Sequence, residues 1–303
     1  MNIYQAKTYI YQNARPLDYA RWQYLFENES QENVLKALQA YQNEDGGFGH
    51  GLEIDCWNPF SSPVQTWAAT KIMKEVHLED ASHPLIQGVL RYLQTTEDFD
   101  GHVWFNAIHT NNDYPHALWW DDHGVRELNY NPTASLIGFI IKYGNSHSKI
   151  YQKACCLLKE AYQFLKDHYP LESMHTVSCF VELFEYLKEC DYQDIDLLEF
   201  EMILKKQIQE MITQDVSLWS VEYVCKPSLF IQSKESVFYK DNKDLCDLEC
   251  DFIFKTQEDD GTWKITWNWE NYPEQWAVSK NWWKYDMIIQ QVKFLKAMQE
   301  GEK

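Results

Sequence analysis

Two carboxylates two residues apart, Glu53 and Asp55, stand in a loop that also holds His50, Cys56 and Trp57. Such a pair can face one cavity, where burial among aromatics and mutual repulsion push one carboxyl towards the protonated form a general acid needs. The same two residues could instead cap helices or anchor loop amides. A second segment, residues 101–131, is denser in functional side chains. It offers Asp121 and Asp122 as further candidate acids. Across the two segments His50, Trp57, Trp104, His109, His116, Trp119, Trp120 and Arg126 are candidate ligand contacts, with indole rings stacking on a small molecule and polar groups orienting it. A lid packed on the end of the fold is the alternative reading of residues 101–131. None of the histidines falls in a His-Glu-x-x-His register, so neither a metal nor another cofactor is expected.

The elements that must position these loops are helical. Pro63 opens a helix over 63–76, in which Val64, Trp67, Ala68, Ala69, Ile72 and Met73 cover much of the circumference. The next helix, 84–94, is amphipathic, with Leu85, Val89, Leu90 and Leu93 inward. Residues 133–143 are apolar nearly all round, as an enclosed helix must be, and 148–167 are amphipathic again. The alternation continues through 174–188 (enclosed) and 196–213 (amphipathic), then less cleanly through 228–239 and 243–257, with a last helix over 282–299. Residues 1–41 hold up to three more helical segments. No set of strands is expected. Connections from amphipathic to enclosed helices are read as long (43–62, 95–132, 168–173, 214–227 and 258–281), and the reverse connections as short. In a closed ring of helix pairs every long loop emerges at one end, where function concentrates.

The segment Gln42-Asn43-Glu44-Asp45-Gly46-Gly47-Phe48 recurs as Gln257-Glu258-Asp259-Asp260-Gly261-Thr262-Trp263. A looser copy runs from Gln94 to Trp104, and Gln214 to Trp219 is degenerate. Gln42 and Gln94 are 52 residues apart, and a period of that size marks stacked units. Gln-x-x-Asp-Gly-x-aromatic at the end of an outer helix resembles the QW repeat of the terpenoid cyclase and protein prenyltransferase superfamily. The resemblance implies an all-α fold, an (α/α) toroid or barrel of five to six helix pairs, formed by residues 1–303 as one domain. It also implies that Gln42, Phe48, Gln257 and Trp263 tie neighbouring outer helices together. The acid motif that such cyclases place at the start of an inner helix is replaced here by Ser61-Ser62-Pro63-Val64 and Asn131-Pro132-Thr133-Ala134, and Asp121-Asp122-His123-Gly124-Val125 lacks the last Asp of a magnesium-binding D-D-x-x-D.

The net charge of −19 repels nucleic acid and anionic membrane surfaces, so neither is an expected partner. No apolar run reaches the length of a membrane span, and no signal peptide is expected. Eight cysteines without C-x-x-C or framework spacing point to reduced thiols and a cytoplasmic protein. The expected partner is a small-molecule substrate. The first functional reading is an enzyme on an isoprenoid-like molecule, with a mouth carboxylate as proton donor and aromatics stabilising a cation. The second is a carbohydrate-active enzyme, glycosidase or lyase, because Asn and His beside Trp suit sugar hydroxyls. The third is a toroid that binds a partner without catalysis.

Overall fold

A computed structural model describes residues 1–125 and 128–299. Among these residues there are eleven α-helices and no strands, only isolated bridges between loops. The chain divides into two compact units: Leu38–Gln207, and Met1–Ala37 joined with the chain from Ile208 on. No helix among the described residues is long and apolar enough to cross a membrane.

The central unit alternates two kinds of helix. α4 (Pro63–Glu75), α6 (Thr133–Tyr143) and α8 (Met174–Glu189) are the enclosed kind. α5 (Pro84–Thr95), α7 (Lys149–Asp167) and α9 (Leu197–Met211), whose last residues belong to the other unit, are amphipathic. Serine hydroxyls start three of them: Ser62, Ser148 and Ser173 each accept a backbone N–H from the first turn of α4, α7 and α8. Such a cap is worth about 1 kcal/mol. In α6 every residue except Lys142 is buried. In α7 Ile150, Ala154, Leu157, Leu158, Ala161 and Leu165 form one stripe, while Lys149, Lys159 and Glu160 are not buried. α6 packs most extensively on α8 and next on α7, so it lies at the centre of this core.

The terminal unit holds α1 (Ile3–Asn13), α2 (Pro16–Glu27), α10 (Tyr239–Thr256) and α11 (Pro273–Gln299), and α3 (Gln31–Gln39) crosses its boundary. α11 packs on α10, α2 and α1. The Arg21 guanidinium, nearly inaccessible, joins Asp18 at 3.3 Å to Asp286 of α11 at 2.9 Å. Residues 228–239 do not form the expected helix. A 3-10 turn at Pro227–Leu229 is followed by further turns up to Tyr239. Serine side chains hold these turns: Ser236 Oγ accepts the Phe238 N–H, and Ser228 donates both its N–H (2.7 Å) and its hydroxyl (2.6 Å) to the buried carboxylate of Glu249. The last helix starts at Pro273 instead of 282, with Pro273 in its first turn and Glu274 beside it.

The repeated segment builds the same turn twice. Gln42 Nε2 donates to Gly46 O at 2.9 Å and to Leu85 O, in the first turn of α5, at 3.3 Å. Gln257 Nε2 donates to Gly261 O at 3.1 Å and to Asn2 O, at the start of α1, at 3.3 Å, and its Oε1 accepts the Asn2 N–H at 2.6 Å. Asp45 and Asp260 each accept the N–H two residues on, from Gly47 and Thr262, both at 2.9 Å. Gly46 and Gly261 have φ of +95° and +87°. A Cβ at Gly46 would meet Gly88 O at 2.2 Å, and one at Gly261 the Ala6 N at 2.5 Å. Only glycine supplies both the left-handed backbone and that approach. The indoles of Trp104 and Trp263 donate back to Leu93 O and Ile253 O, in the last turn or two of α5 and α10.

Candidate functional site

The loops before α4 and α6 are laced together inside the central unit. Trp57 N–H donates to Pro115 O and Ala117 N–H to Asp55 O, both at 2.9 Å, on either side of a bridge between Cys56 and His116. Asn58, fully buried, donates to Thr110 Oγ1 (2.8 Å) and Asn111 Oδ1 (2.9 Å) and gives its backbone oxygen to Gln65. Asn111 passes the chain of bonds to Trp120 O at 3.1 Å.

Much of the polar inventory of these loops is therefore used in holding them. Asp55 is buried, and Glu53, half-buried, reaches back to the Asp55 N–H at 3.4 Å. The seam brings Asp55 and Trp57 beside His116. His116 is 2% exposed, and its ring lies between Tyr114 O (2.6 Å) and Asp121 Oδ1 (2.5 Å). Asp122 accepts the Gly124 N–H and pairs its backbone with the Asn112 amide. His50, exposed with φ +62°, bonds back to Asn43. His109 and Trp119 are exposed, and Trp57 is half-buried. The Trp120 indole N–H is buried with no hydrogen-bond partner among the described residues. Arg126 lies outside the described residues. Trp104, for which a solvent-facing ring was expected, has no exposed surface: its indole N–H is drawn to Leu93 O and its backbone N–H to Thr133 Oγ1. Burial pushes the Cys56 thiol up to about 12, which leaves no thiolate nucleophile there at neutral pH.

A second cluster lies along the enclosed helices, from their first turns to about their third. Asn129 and Asn131, the end of the second loop, meet α8 through Thr176 Oγ1 (3.4 Å) and Cys179 Sγ (3.6 Å). Glu182 of α8 is held by two donors on one oxygen: Trp67 Nε1 of α4 at 2.8 Å, and the Ser135 hydroxyl of α6. Both bonds fall on Oε2, and Oε1 accepts nothing among the described residues. The Lys71 ammonium, one turn on from Trp67, stands 3.7 Å from the centroid of that indole. Deeper along the same helices Lys74 pairs with Glu185 at 2.6 Å, and Lys142 with Glu189 at 2.8 Å. Early residues meet early ones and late meet late, so α4, α6 and α8 run parallel and present one polar face.

The electrostatics of this face are mixed. Burial and then the charge of Lys71 hold the His175 imidazole below its ordinary pKa, which favours the neutral ring. Burial and then the Glu182 charge push the Cys179 thiol well above its ordinary range. Lys71, unlike Lys74 and Lys142, has no carboxylate within ion-pair distance among the described residues. A carboxylate anchored through one oxygen and open at the other can accept a proton from a ligand hydroxyl or return one to a leaving group. Among the described residues no three His, Cys, Asp or Glu side chains gather closely enough to hold a metal ion.

No protein-family model, curated protein or solved structure matches the chain. Glu182, His175, Lys71 and Ser135 are not among the candidates named from the sequence, because they lie on helices and not in the two loops. The signal was present: His175, Cys179 and Glu182 fall at i, i+4 and i+7, one face of a helix otherwise rich in Val, Phe and Leu. Polar residues on one stripe of an enclosed helix have to meet each other or a ligand.

Proposed function

We propose that this chain is an enzyme that acts on a hydroxylated small molecule by general acid–base chemistry, with Glu182 as the proton-transferring carboxylate. The reading belongs to the carbohydrate-active class, hydrolysis or elimination at a sugar-like ring. The observation that carries it is the Glu182 carboxylate, fixed by Trp67 and Ser135 through Oε2 and, among the described residues, without a donor on Oε1. Fixing the base by two donors reduces the reorganisation needed at the moment of proton transfer. The seam of Asp55, His116 and Asp121 would support the approach to this face. The architecture we infer is an (α/α) toroid, of the kind found in terpenoid cyclases and prenyltransferases. It is supported by alternating enclosed and amphipathic helices and by the paired Gln42 and Gln257 turns, whose residues resemble the QW repeat. The isoprenoid reading is weaker on this face, because Lys71 already occupies the Trp67 ring that would stabilise a carbocation.

The test is turnover of a panel of neutral and acidic aryl glycosides and oligosaccharides by the full chain and by Glu182→Gln. The variant keeps the shape and should melt with the wild type while losing turnover by about 100-fold or more. Full activity in Glu182→Gln, or no turnover of any member of the panel by the wild type, removes the proposal.

A further inference from the structure

We infer that Lys71 is the docking point for an anionic oxygen group, carboxylate or phosphate, on the molecule that offers a hydroxyl to Glu182. This deepens the reading of the Glu182 site and rests on it.

The first reason is the isolation of the cation. On the polar face of α4, α6 and α8, Lys71 is the lysine that no carboxylate approaches to ion-pair distance among the described residues. On the same face Lys74 is paired with Glu185, and Lys142 with both Glu189 and Glu79. Lys71, solvent-reachable, is held instead over the Trp67 ring. A cation–π contact orients an ammonium without neutralising it, and leaves its N–H donors for another partner.

The second reason is the position of Trp67 between two charges. Its indole N–H is spent on Glu182 and its ring face on Lys71, so one rigid side chain keeps cation and carboxylate apart on adjacent sides. They form no ion pair with each other, which would otherwise cancel both. A ligand with an anionic group and a nearby hydroxyl would bridge them, the anion on Lys71 and the hydroxyl on Glu182 Oε1. A neutral sugar would use only the second contact. The third reason is His175, whose lowered pKa reflects the uncancelled charge of Lys71 as well as burial. An anion seated on Lys71 would cancel that charge, and the imidazole would report it.

The probes are inorganic phosphate, glucuronate and glucose, titrated into the full chain while the His175 ring is followed by NMR. Saturable shifts with phosphate or glucuronate, and a His175 pKa that rises when the anion is bound, are the expected results. Phosphate alone would point to a phosphorylated ligand, and glucuronate alone to a sugar acid. Lys71→Gln should weaken anion binding at least about tenfold, the scale of losing a charge-assisted hydrogen bond, while Lys71→Arg retains it. Glu182→Gln should leave phosphate binding intact, which separates a failure of this inference from a failure of the catalytic reading. Absence of saturable binding of either anion by the wild type overturns the inference, as does unchanged affinity in Lys71→Gln. If Lys71→Gln does not fold, the rise in the wild-type His175 pKa decides the matter: without it the inference is wrong.

Discussion

Replacing Glu249 by glutamine should make the protein more stable at pH 8 and leave it unchanged near pH 4.5. Glu249 is buried on α10 with its two oxygens on the N–H and hydroxyl of Ser228. Burial raises its pKa from 4.5 to about 7, more than the Ser228 bonds and the Lys226 charge lower it. Between those values the folded chain holds a proton that the unfolded chain has released, so stability falls as pH rises through that window and stays lost above it. A displacement of that size corresponds to about 3 kcal/mol. Glutamine keeps an acceptor for the Ser228 N–H and an amide donor for its hydroxyl, and it has no charge to desolvate. Urea denaturation of the full chain and of Glu249→Gln, followed by tryptophan fluorescence at intervals from pH 4.5 to 8.5, measures the difference directly. Other carboxylates titrate in both proteins and cancel. Parallel stability curves for the two proteins would show that Glu249 ionises as freely in the fold as in the open chain, and the reasoning would fail.

Two further outcomes are expected. Gln257→Ala, which strands the Asn2 N–H and O and the Gly261 O, should cost about 1–3 kcal/mol in the same denaturation assay, with Gln42→Ala similar; an unchanged midpoint in both would mean the turns hold without their glutamines. His175, with its pKa lowered in the fold, favours the folded state most when neutral, so its contribution should be lost as pH falls below about 6.5 and stop changing below the folded pKa; His175→Gln should lack that acid-side loss, as read from melting temperatures between pH 5 and 7.5.

The helical plan was legible because its signals are local. Thr133–Tyr143 has the bounds that its sequence suggests, since an all-round apolar segment after Pro132 and before Gly144 leaves little choice. Pro63 and Pro84 marked helix starts for the same reason. The segment 228–239 misled because Phe230, Ile231 and Phe238 supply enough apolar residues for a helix face, yet Ser228 gives its N–H to Glu249 and Ser236 Oγ takes the Phe238 N–H. Residues 273–281 fall within the expected 258–281 connection, although Pro273 and Glu274 carry a helix start signal. The loops singled out by composition do meet the enclosed helices, since Asn129 and Asn131 touch α8 at Thr176 and Cys179. The pairing of Trp57 with Pro115, and the meeting of Trp67, Ser135 and Glu182 from three helices, depend on long-range approach that no local pattern encodes.

The turn at Gln257 has a consequence for the order in which the chain is made. Asn2, which it clasps, leaves the ribosome 255 positions earlier. At about 5–20 residues per second the first helix waits roughly ten to fifty seconds for its fastening. Asp286, the partner of Arg21, arrives later still. Residues Leu38–Gln207 carry their own core and can settle during that interval, but the nascent helices before them cannot bury their apolar faces in the same way. A chaperone that holds exposed apolar segments of this protein should therefore be found on residues before Leu38, and release from it should follow emergence of α10 and α11.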